Sequence, residues 1–186
     1  MGGRRIIDRV ADALSTLAID ANDDDESVDA TRQLLVVSNS PDAATWLPHA
    51  RVVTDVRPEH GSLVGLHAAL VQARDTVFAL AWDMPFVTRN LVRLVARSAT
   101  EAEFAAVPIG THGAEPFCAV YRPACLPYID AALDRGDFRL SALLERLPAV
   151  TFVSVDDVRT VGDPARLFFN VNDAADLSRA DRLAAG

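Results

Sequence analysis

Five polar side chains stand just where apolar runs stop. Asn39 follows Leu34-Leu35-Val36-Val37-Ser38, Asp55 follows Val52-Val53-Thr54, Asp83 follows Val77-Phe78-Ala79-Leu80-Ala81-Trp82, and Asn170 and Asn172 bracket Val171 after Phe168-Phe169. A carboxylate so placed can hold a hard divalent cation against phosphate oxygens. A carboxamide donates and accepts at once, which suits a nucleobase or a ribose. Each residue also has a plainer use, because Asn and Asp favour turns and helix caps. Asp83 is as well suited to capping the helix that follows it. Their shared position is what sets them apart: in a doubly wound sheet the carboxyl ends of the strands face one rim, and the ligand crevice lies there.

The elements that must position these groups follow from the apolar pattern. Val77 to Ala81 is apolar without alternation, which predicts a strand buried on both faces, and Pro85 forces a turn beside Asp83. Gln33–Ser38, Arg51–Thr54, Phe104–Val107, Phe117–Tyr121 and Thr151–Val155 are the other expected strands. Helices are expected over Arg4–Leu17, in a short piece through Trp46, from Gly61-Ser62-Leu63-Val64-Gly65 onward, after Thr88 as N-cap, over Pro123–Leu133, over Leu140–Leu147, and from Ala174 to about Leu183. Ile109–Glu115, with Gly110, Thr111, His112 and Gly113, reads as a loop, and Asp23-Asp24-Asp25-Glu26 as a solvated one. The glycines at 61 and 65 admit either close approach of a ligand to helix amides or tight helix-to-sheet packing. Strands alternating with helices imply one α/β domain with a mainly parallel sheet covered on both faces.

Composition excludes several classes. A net charge of −8 argues against general nucleic-acid binding. No apolar run reaches the length of a membrane span and no signal peptide opens the chain, so cytoplasmic residence is the expectation. Cys118 and Cys125 are too few for a disulfide framework and match no metal motif. All 18 basic residues are arginine; with no lysine, cationic help to a phosphate must come from arginine, a metal ion or backbone amides.

The ordered set Val37-Ser38-Asn39, Val53-Thr54-Asp55, Gly61-Ser62-Leu63-Val64-Gly65 and Trp82-Asp83-Met84-Pro85-Phe86 resembles the molybdenum cofactor guanylyltransferases. The resemblance continues through Glu115-Pro116-Phe117-Cys118-Ala119-Val120-Tyr121 and ends in Phe168-Phe169-Asn170-Val171-Asn172, Asp173 and Asp176-Leu177. It implies a single Rossmann-like nucleotidyltransferase domain over residues 1–186 that joins the GMP part of GTP to molybdopterin-type cofactor with Mg²⁺, releasing pyrophosphate. By the same resemblance Asn39 and Asp55 hold the guanine nucleotide, and Asp83 binds Mg²⁺ and the nucleotide phosphates as the catalytic acid. Asn170 and Asn172 line the rim as substrate-binding residues. GTP and molybdopterin are the implied substrates, and molybdoenzymes or proteins of the cofactor pathway the implied protein partners.

The sequence departs from the family at its start. The family opens with a strand and a loop of the form leucine-alanine-glycine-glycine, then an arginine and a lysine; Met1-Gly2-Gly3 matches only the lead into the first helix. The expectation is therefore a sheet without its first strand, with Leu34–Val37 and Val77–Ala81 left unpaired on the sides that would flank it. Such a chain is expected to be marginally stable and impaired in catalysis. The readings left open are a fragment or misassigned start of an active enzyme, a homologue that binds nucleotide or partner without turnover, and a cytidylyltransferase of the same superfamily.

Overall fold

The computed structural model describes residues 3–19 and 34–185; the acidic run Asp23–Glu26 lies outside the described residues. Two separate sheets carry the strands. In the smaller, β1 (Leu35–Val37) runs parallel to β2 (Arg51–Val53), with Val36 opposite Val52. In the larger, the order is β3 (Val77–Leu80), β6 (Cys118–Tyr121), β4 (Ala105–Gly110), β5 (Gly113–Ala114), and β7 (Val150–Val153) lies parallel to β4.

The mainly parallel expectation holds for β1–β2 and β4–β7, but β6 runs antiparallel to both β3 and β4. The cause is chain length. Only Thr111–Phe117 separates β4 from β6, which is too short for the crossover of a dozen or more residues that parallel neighbours need. The segment expected as a loop is instead a hairpin, in which Ile109 and Gly110 pair with Ala114 and Gly113. Gly113 turns it at φ 127°, a backbone conformation that other residues rarely adopt.

Helices cover both faces of the larger sheet, and strand alternation shows why. Ala105, Val107, Ala119 and Tyr121 point into one core with α3 (Ser62–Ala73), α5 (Leu126–Leu133) and α6 (Leu140–Leu144). Ala106, Cys118, Val120 and Val153 point into the other, with Ala13 of α1 (Ile6–Leu14) and Leu91, Val92 and Val95 of α4 (Arg89–Ser98). Each fully buried aliphatic side chain contributes roughly 1.5–3 kcal/mol, so these two layers are the main source of stability. Thr88 caps α4 as expected, its Oγ1 accepting from the Leu91 N–H at 3.2 Å.

Further helices were not foreseen. The short α2 (Thr16–Ile19) breaks off from the expected first helix, and α7 (Val155–Arg159) and α8 (Pro164–Leu167) interrupt segments expected to be extended or irregular, whereas α9 (Ala174–Ala185) is the terminal helix expected from Ala174. The strand expected to reach Val155 stops at Val153 because the Ser154 hydroxyl caps α7, accepting from the Asp157 N–H at 3.1 Å.

Among the described residues no strand joins the two sheets. Of the described strands, β1 pairs with β2 alone and β3 with β6 alone, so each keeps one open edge. Helix α3 packs against β1, β2 and β3 and thereby bridges the sheets. No helix of the described residues is long and apolar enough to cross a membrane.

Candidate functional site

Asn39 and Asp55 occupy equivalent places on adjacent parallel strands, each two residues past the paired Val37 and Val53. That register brings them together. The Asn39 Nδ2 donates to Asp55 Oδ2 at 2.7 Å, and the Asp55 N–H donates to Asn39 Oδ1 at 3.1 Å. The pair leaves Asp55 Oδ1 outside this exchange, an acceptor at the open end of the small sheet.

Asp83 lies three residues past Leu80, the last paired residue of β3, in a turn before the buried Met84. It does not cap a helix, since that place belongs to Thr88. Its carbonyl accepts from the Val171 N–H at 2.9 Å, which ties the Asn170–Asn172 segment to the end of β3. Its Oδ1 is buried and has no hydrogen-bond partner. Burial raises the carboxyl above the ordinary aspartate range, offset in part by a hydrogen bond to its own backbone N–H. An orphaned, desolvated oxygen of this kind is stabilised by a cation, so the site fits a Mg²⁺ ion. Among the described residues no three His, Cys, Asp or Glu side chains converge. Mg²⁺ commonly takes one or two carboxylates and completes its shell with water and substrate phosphates.

Asn170 and Asn172 are both exposed. The segment is held from both sides. Phe168 is buried in the core, and beyond it the Asn172 N–H donates to Asp176 at 3.1 Å while the Asp176 N–H donates to Asp173 at 2.8 Å, which starts α9. The structure thus gathers the expected residues into two groups, Asn39 with Asp55 and Asp83 with Asn170 and Asn172, one group on each sheet. Beside the start of α1 lies an apolar pocket of about 320 Å³ lined by Arg5, Ile6, Ile7, Trp46 and Trp82. Arg5 fixes its wall by donating to Asp8 and to the Trp46 carbonyl, the latter at 2.8 Å.

The glycines at the start of α3 serve packing. The Leu63 N–H is taken by the Phe138 carbonyl at 3.1 Å, and a Cβ on Gly61 would stand 2.7 Å from Phe138 Cβ. Gly65 faces Val37 of β1 across ordinary van der Waals distance.

One acid escaped sequence reasoning as a chemical group. Glu115 precedes β6 as Asp83 follows β3, and its carboxyl lies against Gly110 and Phe168. Burial alone lifts it to about 7. The available signal was a Glu-Pro pair next to an apolar strand, in a motif already singled out.

Residues 1–150 match the family model described as a MobA-like NTP transferase domain. The chain belongs to that family. It is 30% identical over 183 residues to the molybdenum cofactor guanylyltransferase of Desulfosudis oleivorans, covering 97% of this chain and 83% of that protein. A probable molybdenum cofactor guanylyltransferase of Methanosarcina mazei is 33% identical over 68% of this chain and 57% of its own length. Among solved structures, molybdopterin-guanine dinucleotide biosynthesis protein A from Archaeoglobus fulgidus superposes with a TM-score of 0.70 at 27% identity, over 81% of this chain and 78% of that one. The 4-diphosphocytidyl-2C-methyl-D-erythritol synthase of Anaerococcus prevotii, at 12% identity and a TM-score of 0.66 over 100% of this chain and 88% of that one, shares the fold. The chain is thus a nucleotidyltransferase-family α/β domain whose named relatives are guanylyltransferases.

Proposed function

We propose that this protein transfers the guanylyl group of GTP to molybdopterin-type molybdenum cofactor. An acceptor phosphate oxygen attacks the α-phosphorus, a new P–O bond forms, and the bond to the bridging oxygen breaks to release pyrophosphate. The observation that carries the reading is Asp83: a desolvated carboxylate with an orphaned oxygen just beyond β3, in a chain whose relatives bear that activity in their names. Asp83 would hold Mg²⁺, which neutralises charge on the phosphates. The Asn39–Asp55 pair would orient the guanine nucleotide through the free Asp55 oxygen, and Asn170 and Asn172 would meet the acceptor side of the rim. Because ligand stabilisation follows RT ln(1 + [L]/Kd), a tenfold affinity preference is worth about 1.4 kcal/mol at saturation. Thermal unfolding with GTP, CTP and ATP in the presence of Mg²⁺ is the test, and GTP should protect most. Strongest protection by CTP would move the protein to the cytidylyltransferases, and protection by none would leave a partner-binding role.

A further inference from the structure

Glu115 has a built position and an empty hand. Leu80 and Cys118 face each other across β3 and β6; Asp83 lies three residues past the first and Glu115 three before the second, so both acids stand beyond the same rim on neighbouring strands. The main chain of Glu115 is fully engaged, its N–H donating to the Pro108 carbonyl at 2.9 Å and its carbonyl accepting from the Cys118 N–H at 3.1 Å. Its side chain folds back over Gly110, where a Cβ would stand 2.9 Å from Glu115 Cγ and 2.9 Å from Phe168 Cδ2. Gly110 therefore makes room for this carboxyl between the end of β4 and the turn that carries Asn170 to Asp83. No side chain of the described residues donates to or pairs with the Glu115 carboxyl. Of the groups facing it, Gly110 and Phe168 do not titrate, and burial keeps the Cys118 thiol protonated. Asp83 is the other acid beyond this rim.

A half-buried carboxylate without an internal donor is suited to a ligand that brings a planar pair of N–H groups, as an arginine fork does. The 2-amino-4-oxopyrimidine edge, common to guanine and pterins, presents such a pair: a ring N–H beside an amino group. With guanine proposed for Asn39 and Asp55 on the other sheet, the acceptor's pterin remains for this side. We propose that Glu115 reads the 2-amino-4-oxopyrimidine edge of the pterin acceptor. The inference rests on the guanylyltransferase reading and adds a specificity residue to it.

The test is equilibrium binding of a soluble 6-substituted pterin, a lumazine bearing oxygen in place of the 2-amino group, and GTP, to the wild-type chain and to Glu115→Gln. The wild type should bind the pterin at least tenfold more tightly than the variant does, and should bind the lumazine as weakly as the variant binds the pterin. GTP affinity should agree within about twofold. Pterin affinity of the wild type should rise about tenfold from pH 5.5 to 7.5, as the carboxyl loses its proton to the buffer, and stay flat in Glu115→Gln. Equal pterin binding by both chains, or wild-type affinity for lumazine equal to that for pterin, overturns the proposal without reliance on the variant's folding. Loss of GTP with retention of pterin in the variant overturns it in favour of a guanine contact. Binding of GTP but of no pterin by the wild type overturns it while leaving the nucleotide half of the proposed function standing; binding of neither overturns both.

Discussion

The two sheets present similar chemistry on unequal foundations. Asn39 and Asp55 rest on two strands of three residues each, with every residue of β1 only half-buried. Asp83 and Glu115 rest on a five-stranded sheet in which β6 is wholly buried and β4 nearly so. A two-stranded unit is marginal alone in water and needs a packed partner, and here α3 is the shared support. The difference teaches that the acids of the larger sheet stand on a packed foundation, whereas the Asn39–Asp55 pair depends on a short, half-buried one.

The largest effect should come from Asp83→Asn. Metal-dependent GTP binding, followed by calorimetry, should fall at least a hundredfold, while the fold stays intact. Because burial raises the native carboxyl, its ionisation opposes folding as pH climbs through the folded value. The variant's Tm should therefore match the wild type below about pH 3, where both folded and unfolded acids are protonated, and equal or exceed it at pH 8. Unchanged GTP binding would return Asp83 to a purely structural place and erase the contrast between the sheets.

Next in size is the smaller sheet. Asn39→Ala removes both side-chain hydrogen bonds that link Asn39 to Asp55 beyond the ends of β1 and β2. GTP affinity should drop about tenfold, or 1.4 kcal/mol, and amide exchange in β1 and β2 should quicken while β4 and β6 stay protected. In the wild type saturating GTP should slow exchange in β1 and β2 selectively. Equal protection of both sheets without ligand would show that α3 alone makes the small sheet firm.

The smallest effect belongs to a residue that serves the frame. Thr88→Ala deletes the α4 cap and should lower stability by about 1 kcal/mol, read by urea unfolding, with GTP affinity unchanged. A drop in nucleotide binding would mean that α4 transmits its position to Asp83 through the intervening turn.

Much of this is legible in the sequence. Asn39, Asp55 and Asp83 announce themselves by ending apolar runs. Thr88 follows from the cap rule. What stayed hidden depended on long-range pairing. The direction of β6 is decided by the brevity of the β4–β6 connection, and the 109–115 hairpin by a pairing of two residues on each side, too short to leave a periodic signature. α7 and α8, of five and four residues, are likewise too short for a helical stripe, though Ser154 and Asp163 mark their caps. Glu115 was visible as a letter in a motif, but its desolvation comes from burial in the fold, where its side chain lies over Gly110.

The pocket beside α1 has an optical consequence. The chain contains two tryptophans, and both line that one cavity, Trp46 from the segment before β2 and Trp82 from the turn after β3. Trp82 is 66% exposed, so its indole emits from a wet surface that any ring or chain entering the gap must dry or quench. The ultraviolet emission of the untagged protein is consequently a single-site signal: its wavelength and yield report the filling of this cleft, with no background from indoles elsewhere.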